Sequence, residues 1–199
     1  MDKLKKHYLF LFIIAIIGIV MGIIFANIIS LEDEKIVYSK ITTYFNNLKD
    51  DVPINYLYNL FQSIKENLLY LIIIWILGLS IIGLLFNNFI VFFKGFILGF
   101  SVGSIINIYL YSGIILAIIY VFPTIIFNTF IYLIMTYYAN GISFNLFNVL
   151  FKKKDIKFAI LMKRYFRIFY ILGSLLIVSS LYETFVTPFF LKLFTFLIK

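Results

Sequence analysis

The sequence of 199 residues holds no cysteine, one histidine, one tryptophan and three prolines. Without cysteine there is no disulfide framework, no thiolate nucleophile and no thiolate metal site. The one histidine, His7, stands in the N-terminal segment, where it is not placed to serve a buried serine. Charge is scarce as well: 13% of residues are Asp, Glu, Lys or Arg, against about 25% in an ordinary globular domain. The aspartates, Asp2, Asp33, Asp50, Asp51 and Asp155, all fall outside the long apolar runs. There is no His-Glu-x-x-His motif and no aspartate pair inside an apolar run. Two-carboxylate glycosidase chemistry needs paired acids flanking a sugar site, which the short acidic segments here are poorly suited to build. The chain is therefore expected not to be an enzyme, with no catalytic, cofactor-binding or metal-ligating residue.

What is abundant is apolar surface. Hydrophobic residues make up 63% of the chain, and the mean hydropathy is +1.06. A membrane span needs roughly 20 apolar residues, and five segments qualify: Tyr8–Ile29, Leu68–Phe86, Phe89–Leu110, Ile114–Tyr138 and Ile168–Thr187. The expected fold is all-α, a polytopic integral membrane bundle forming a single domain over residues 1–199. The second and third spans are expected to turn at Asn87-Asn88, with Lys94 as the alternative turn, in which case the second span reaches Phe93 and the third begins at Gly95. The N-terminal run resembles a secretory signal, but its 22 apolar residues are long for an h-region and no A-x-A-like site follows, so it is expected to stay as the first span.

The net charge of +8 is gathered at the ends of the runs, which is a membrane-edge pattern and not a nucleic-acid one. Lys3, Lys5 and Lys6 precede the first span. Lys152, Lys153, Lys154, Lys157, Lys163, Arg164 and Arg167 lie between the fourth and fifth. Five spans put both groups on one side. The positive-inside rule then makes the N-terminus cytoplasmic and the C-terminus extracytoplasmic in a multi-pass cell-membrane protein. Residues 30–67 fall outside, with four lysines against six carboxylates. Ile41, Tyr44, Phe45 and Leu48 keep helical spacing, as do Leu57, Leu60, Phe61 and Ile64. Asp50-Asp51-Val52-Pro53 reads as a break with a new helix start, so two short amphipathic helices are expected there. The face of Leu57, Leu60, Phe61 and Ile64 is a candidate partner surface, with membrane lipid as its other occupant. The basic 139–167 segment, with Phe144, Phe147 and Phe151 on one face, is expected to anchor on anionic lipid. The sequence is compatible with a homo-oligomer.

Two charges lie within the apolar runs. Lys94 is five residues into the third span, at a depth of roughly 8 Å by helical rise, so its stem is expected to snorkel toward the headgroups. Glu183 lies near the outer end of the fifth span, beside Ser179, Ser180 and Thr184. The two sit toward opposite faces and are not expected to pair directly. Gly95, Gly99 and Gly103 form one row on the third span, and Gly18 and Gly22 a small-xxx-small pair on the first. Such rows permit close helix packing. Pro123 is expected to kink the fourth span beside Asn128 and Thr129. Lys94, Glu183 and that kink leave a small transporter or channel-like subunit as the alternative function.

Asn67-Leu68 with Tyr70, Trp75-Ile-Leu-Gly78, Ile81-Ile-Gly83, the run of Lys94, Gly95, Phe96, Gly99, Phe100 and Gly103, then Gly113, Pro123, Asn128, and Tyr182-Glu183 with Pro188 together resemble the stage II sporulation protein M family. The similarity covers nearly the whole chain. It implies a membrane scaffold acting in engulfment during endospore formation, located at the sporulation septum. Its implied partners are the wall hydrolases stage II sporulation proteins D and P, in a septal peptidoglycan-remodelling complex.

Overall fold

A computed structural model describes residues 2–50, 53, 55–121, 124–152 and 158–193, the side chains of 2–5 and 152 excepted. Pro123 and the basic residues Lys153, Lys154 and Lys157 lie outside the described residues. Seven helices are described: α1 (Asp2–Ile28), α2 (Leu31–Lys49), α3 (Tyr56–Gly78), α4 (Gly83–Val121), α5 (Thr124–Lys152), α6 (Phe158–Phe185) and α7 (Thr187–Leu193). The chain is an all-α polytopic bundle. Five of its described helical segments are long and apolar enough to cross a membrane: Lys6–Ile28, Tyr56–Gly78, Gly83–Val121, Thr124–Phe151 and Phe158–Leu193.

The packing partners give the direction of each span. Ala15, Ile19 and Ala26 of α1 face Gly95, Gly99 and Gly103 of α4, so these two helices are parallel. Asn107 Nδ2 extends the match by donating to the Ala26 carbonyl at 3.1 Å. Tyr70 and Leu77 of α3 meet Lys94 and Gly83 of α4, an antiparallel pair. Tyr132 and Ser143 of α5 meet Asn67 and Gly78 of α3, so α5 descends beside α3. Tyr165 and Ser180 of α6 meet Trp75 and Asn67, so α6 climbs back. The start of α1, the 79–82 turn, the end of α5 and the start of α6 thus share one face. The helix α2, the Leu110 turn and α7 share the other, here the α2 face.

Several boundaries differ from the sequence expectation. The helix α2 is amphipathic as expected: Ser30 caps it by accepting from the Asp33 N–H, and Phe45 and Leu48 are buried on its inner side. The second amphipathic helix is not separate. Asn55 accepts from the Tyr58 N–H and starts α3, and no helix breaker follows until Gly78. Leu57, Leu60, Phe61 and Ile64 therefore form the opening turns of the second span itself. The hairpin between the second and third spans turns at 79–82, not at Asn87-Asn88. Gly83 allows this, because a Cβ there would strike the Leu77 carbonyl. Asn88 stays helical by donating to the Leu84 carbonyl at 2.8 Å while accepting from Asn140 at 2.8 Å. The third span ends at Leu110, whose φ of 49° breaks the helix. The next leg folds back tightly enough that a Cβ at Gly113 would meet the Ile105 carbonyl oxygen at 2.6 Å. The fourth span runs Thr124–Phe151, deeper than Ile114–Tyr138, with Asn140 and Gly141 held within the continuous helix.

The exposed face of the bundle is largely apolar, and several polar side chains are buried inside it. Phe12, Ile13, Ile16 and Ile17 of α1 are exposed, whereas Asn67, Asn128, Thr136, Ser143 and Ser180 are buried. With no water in a bilayer core, polar groups must find partners inside the protein. The main apolar core joins Leu71 and Ile74 of α3, Met135 and Ala139 of α5, and Tyr165 and Leu172 of α6.

Candidate functional site

Three features stand out: a glycine seam, a buried polar cluster, and a cavity above that cluster. The seam unites all five glycines expected to serve packing. A methyl group at Gly18 would strike the Phe92 carbonyl, and one at Gly22 the Phe96 carbonyl. From the other side, Gly95 and Gly99 would strike the carbonyls of Ala15 and Ile19, and Gly103 would meet the Ala26 methyl at 2.9 Å. Each helix thus lays its backbone into the gap left by the other's missing side chains.

The polar cluster centres on Asn67, which is 9% exposed. Its amide Nδ2 donates to Ser180 Oγ at 3.0 Å and to Ser63 Oγ at 3.3 Å. Its Oδ1 accepts from Tyr132 OH at 3.1 Å and from Asn128 Nδ2 at 3.3 Å. Asn67 therefore ties α3 to α5 and α6 at one level. Above it, Ser63 Oγ donates to Glu183 Oε2 at 2.7 Å. One turn below it, Lys94 Nζ lies 3.3 Å from the centroid of the Tyr70 ring and 5.1 Å from that of Tyr132.

Lys94 does not follow the snorkelling expectation. It is eleven residues from the helix start at Gly83, roughly 16 Å along the helix, because the hairpin turns earlier than the Asn-Asn pair suggests. Its ammonium turns inward onto the negative faces of two phenol rings. Lys94 and Glu183, expected at opposite faces, are joined by the chain Tyr132–Asn67–Ser63. Sequence reasoning missed Ser63 and Tyr132, and placed Ser180 beside Glu183 without linking it to Asn67. The available signal was the i, i+4 spacing of Ser63 and Asn67 and the i, i+3 spacing of Ser180 and Glu183.

Toward the α2 face the cluster opens into a cavity of about 640 Å³, lined among others by Glu183, Ser63, Tyr44, Tyr120, Ser104 and Lys40. Burial, with Tyr120 and Glu183 adding to it, pushes the Tyr44 phenol up to about 12, so it stays a neutral hydrogen-bond donor at physiological pH. A second cavity, of about 750 Å³, lies at the N-terminal face between His7, Tyr137, Asn140 and Arg164. Toward that face, Tyr165 OH donates to the Trp75 carbonyl at 2.9 Å and Ser143 Oγ to the Gly78 carbonyl at 3.1 Å. These bonds satisfy carbonyls that the end of α3 leaves without helical partners. Among the described residues, no three His, Cys, Asp or Glu side chains gather where they could hold a metal ion.

The candidate partner surface is partly exposed. Leu57 is 78% and Phe61 70% exposed, while Leu60 and Ile64 are half-buried.

A bundle with five candidate spans, glycine-locked helices and inward-facing polar groups defines an α-helical polytopic membrane protein. The chain belongs to the stage II sporulation protein M family, whose model matches residues 10–188. Membership makes it a sporulation-related membrane protein. No curated protein and no solved structure matches the chain.

Proposed function

We propose that the protein is a non-catalytic scaffold of a septal peptidoglycan-remodelling complex in endospore engulfment, and that it holds stage II sporulation proteins D and P. The N-terminal face is cytoplasmic in this reading, because Lys6, Lys163, Arg164 and Arg167 gather toward it. The α2 face then looks toward the wall. The observation that carries the proposal is the exposed apolar surface of Leu57, Tyr58 and Phe61, borne on a helix that continues without a break to Gly78. A partner seated there would be held by an element anchored through the whole bundle. Family membership supplies the process. Purification of the protein from sporulating cells should bring down both hydrolases, and recovery of neither sinks the proposal. Phe61→Asp should release them while leaving membrane insertion intact.

The line of polar groups from Glu183 to Lys94 favours a small transporter or channel-like subunit as a second reading. It ranks lower because the apolar cluster of Leu71, Ile74, Met135, Ala139 and Tyr165 fills the interior on the N-terminal side of Lys94. A conduction path needs a polar lining from face to face.

A further inference from the structure

The cavity beneath α2 carries chemistry that neither helix packing nor a docking surface requires. Its walls bear one carboxylate, Glu183 on α6, and one ammonium, Lys40 on α2. The phenols of Tyr44 and Tyr120 and the hydroxyls of Ser101, Ser104 and Thr187 are among its other polar groups. Glu183 is oriented before any ligand arrives: Ser63 Oγ donates to its Oε2 at 2.7 Å, and Asn67, fixed between three helices, donates to that same Ser63 oxygen at 3.3 Å. An ionised carboxylate has about four acceptor positions, so capacity remains for an incoming donor. Thr187, only 5% exposed on the cavity wall, has a hydroxyl with no protein partner. Buried polar groups of this kind ask for a ligand or water.

The pairing of groups specifies the ligand. A carboxylate sharing a cavity with two phenol rings suits an ammonium, which brings three donors and is drawn to aromatic rings. A primary ammonium uses those donors, whereas a quaternary one has none. Lys40, exposed at the rim, suits an anion carried by the same molecule. The volume of about 640 Å³ is at the scale of small-ligand sites.

We propose that this cavity binds a zwitterionic group that carries a primary ammonium and an anionic oxygen group. The ammonium lies against Glu183, Tyr44 and Tyr120, and the anion lies toward Lys40. Two sources share that chemistry: the headgroup of an ethanolamine phospholipid, and a free amino acid or dipeptide. The inference does not depend on the scaffold reading, which concerns Leu57 and Phe61.

The test uses the full chain in nanodiscs. In discs of equimolar phosphatidylethanolamine, phosphatidylcholine and phosphatidylglycerol, lipid retained by the protein is measured by native mass spectrometry. In discs of phosphatidylglycerol alone, glycine and Ala-Ala are titrated while the melting temperature is followed. A lipid source gives selective retention of the ethanolamine lipid, and a soluble source gives a saturable rise in melting temperature. Glu183→Gln should weaken whichever is seen by about tenfold, on the scale of one charge-assisted hydrogen bond. Lys40→Gln, on the exposed side of α2, should weaken it several-fold without disturbing the fold. If Glu183→Gln does not fold, Lys40→Gln decides. Equal retention of the three lipids together with no response to either solute overturns the proposal. So does binding that is unchanged in the variants that fold.

Discussion

The glycine seam makes a prediction whose size and sign follow from geometry. In Gly99→Ala the new methyl would strike the Ile19 carbonyl oxygen and lie 2.7 Å from its carbonyl carbon and 2.8 Å from its Cα. Carbon atoms rest at roughly 3.5–4.0 Å, so α1 must retreat by about 1 Å. The obstacle is backbone, which has no rotamer to change. Overpacking of this kind costs about 1–3 kcal/mol, and rigid backbone on both sides puts Gly99 at the upper end. The alanine recovers about 1 kcal/mol of helix propensity, leaving a net loss of about 2 kcal/mol. Gly141 is the internal control: it too lies inside a helix, but a Cβ there meets nothing within 4 Å. Gly141→Ala should therefore gain about 1 kcal/mol from propensity alone. The two variants should differ by about 3 kcal/mol in reversible unfolding by dodecyl sulfate in bicelles. If Gly99→Ala proves as stable as Gly141→Ala, the close approach of α1 and α4 is wrong.

Two further outcomes follow from the polar cluster. Asn67→Leu removes four side-chain hydrogen bonds, three of them to α5 and α6; at about 0.6 kcal/mol for each interhelical bond in a membrane protein, it should lower stability by about 2 kcal/mol in the same assay, and unchanged unfolding would refute the hub. Lys94→Met keeps the stem and removes the contact with Tyr70, so it should cost about 1–2 kcal/mol, less than Gly99→Leu, and the reverse order would show that Lys94 carries more of the fold than the seam does. In liposomes, loss of solute flux with folding intact in Lys94→Met would favour the transporter reading.

Much of the fold was legible because a bilayer leaves little choice. A run such as Tyr8–Ile29 must be helical to satisfy its backbone in lipid, and five apolar runs of that kind pointed to five candidate spans before any contact was known. The glycine rows were legible too, since spacing alone shows which face is smooth. Turn positions were harder. Asn87-Asn88 carries the composition of a turn, yet Asn140 from a distant helix supplies the partner that lets Asn88 stay helical. The Leu57–Ile64 face has the spacing of an amphipathic helix, and spacing cannot tell whether such a helix stops or runs on. That misplacement of the hairpin is why Lys94 looked shallow.

The sequence by itself determined that the chain is a helical membrane bundle, which runs are long and apolar enough to span, and which glycines line up on one helix face. These are one-dimensional properties, set by hydropathy and by periods of three and four residues. Only the tertiary structure decided that the two glycine rows face each other in parallel and that Asn67 joins α3, α5 and α6. It also decided that Lys94 turns inward and that Glu183 opens into a cavity under α2. Those facts depend on which helix lies beside which. In lipid, where apolar side chains gain little by meeting one another, that choice is made by close backbone contact and by buried polar groups seeking partners from elements far apart in sequence.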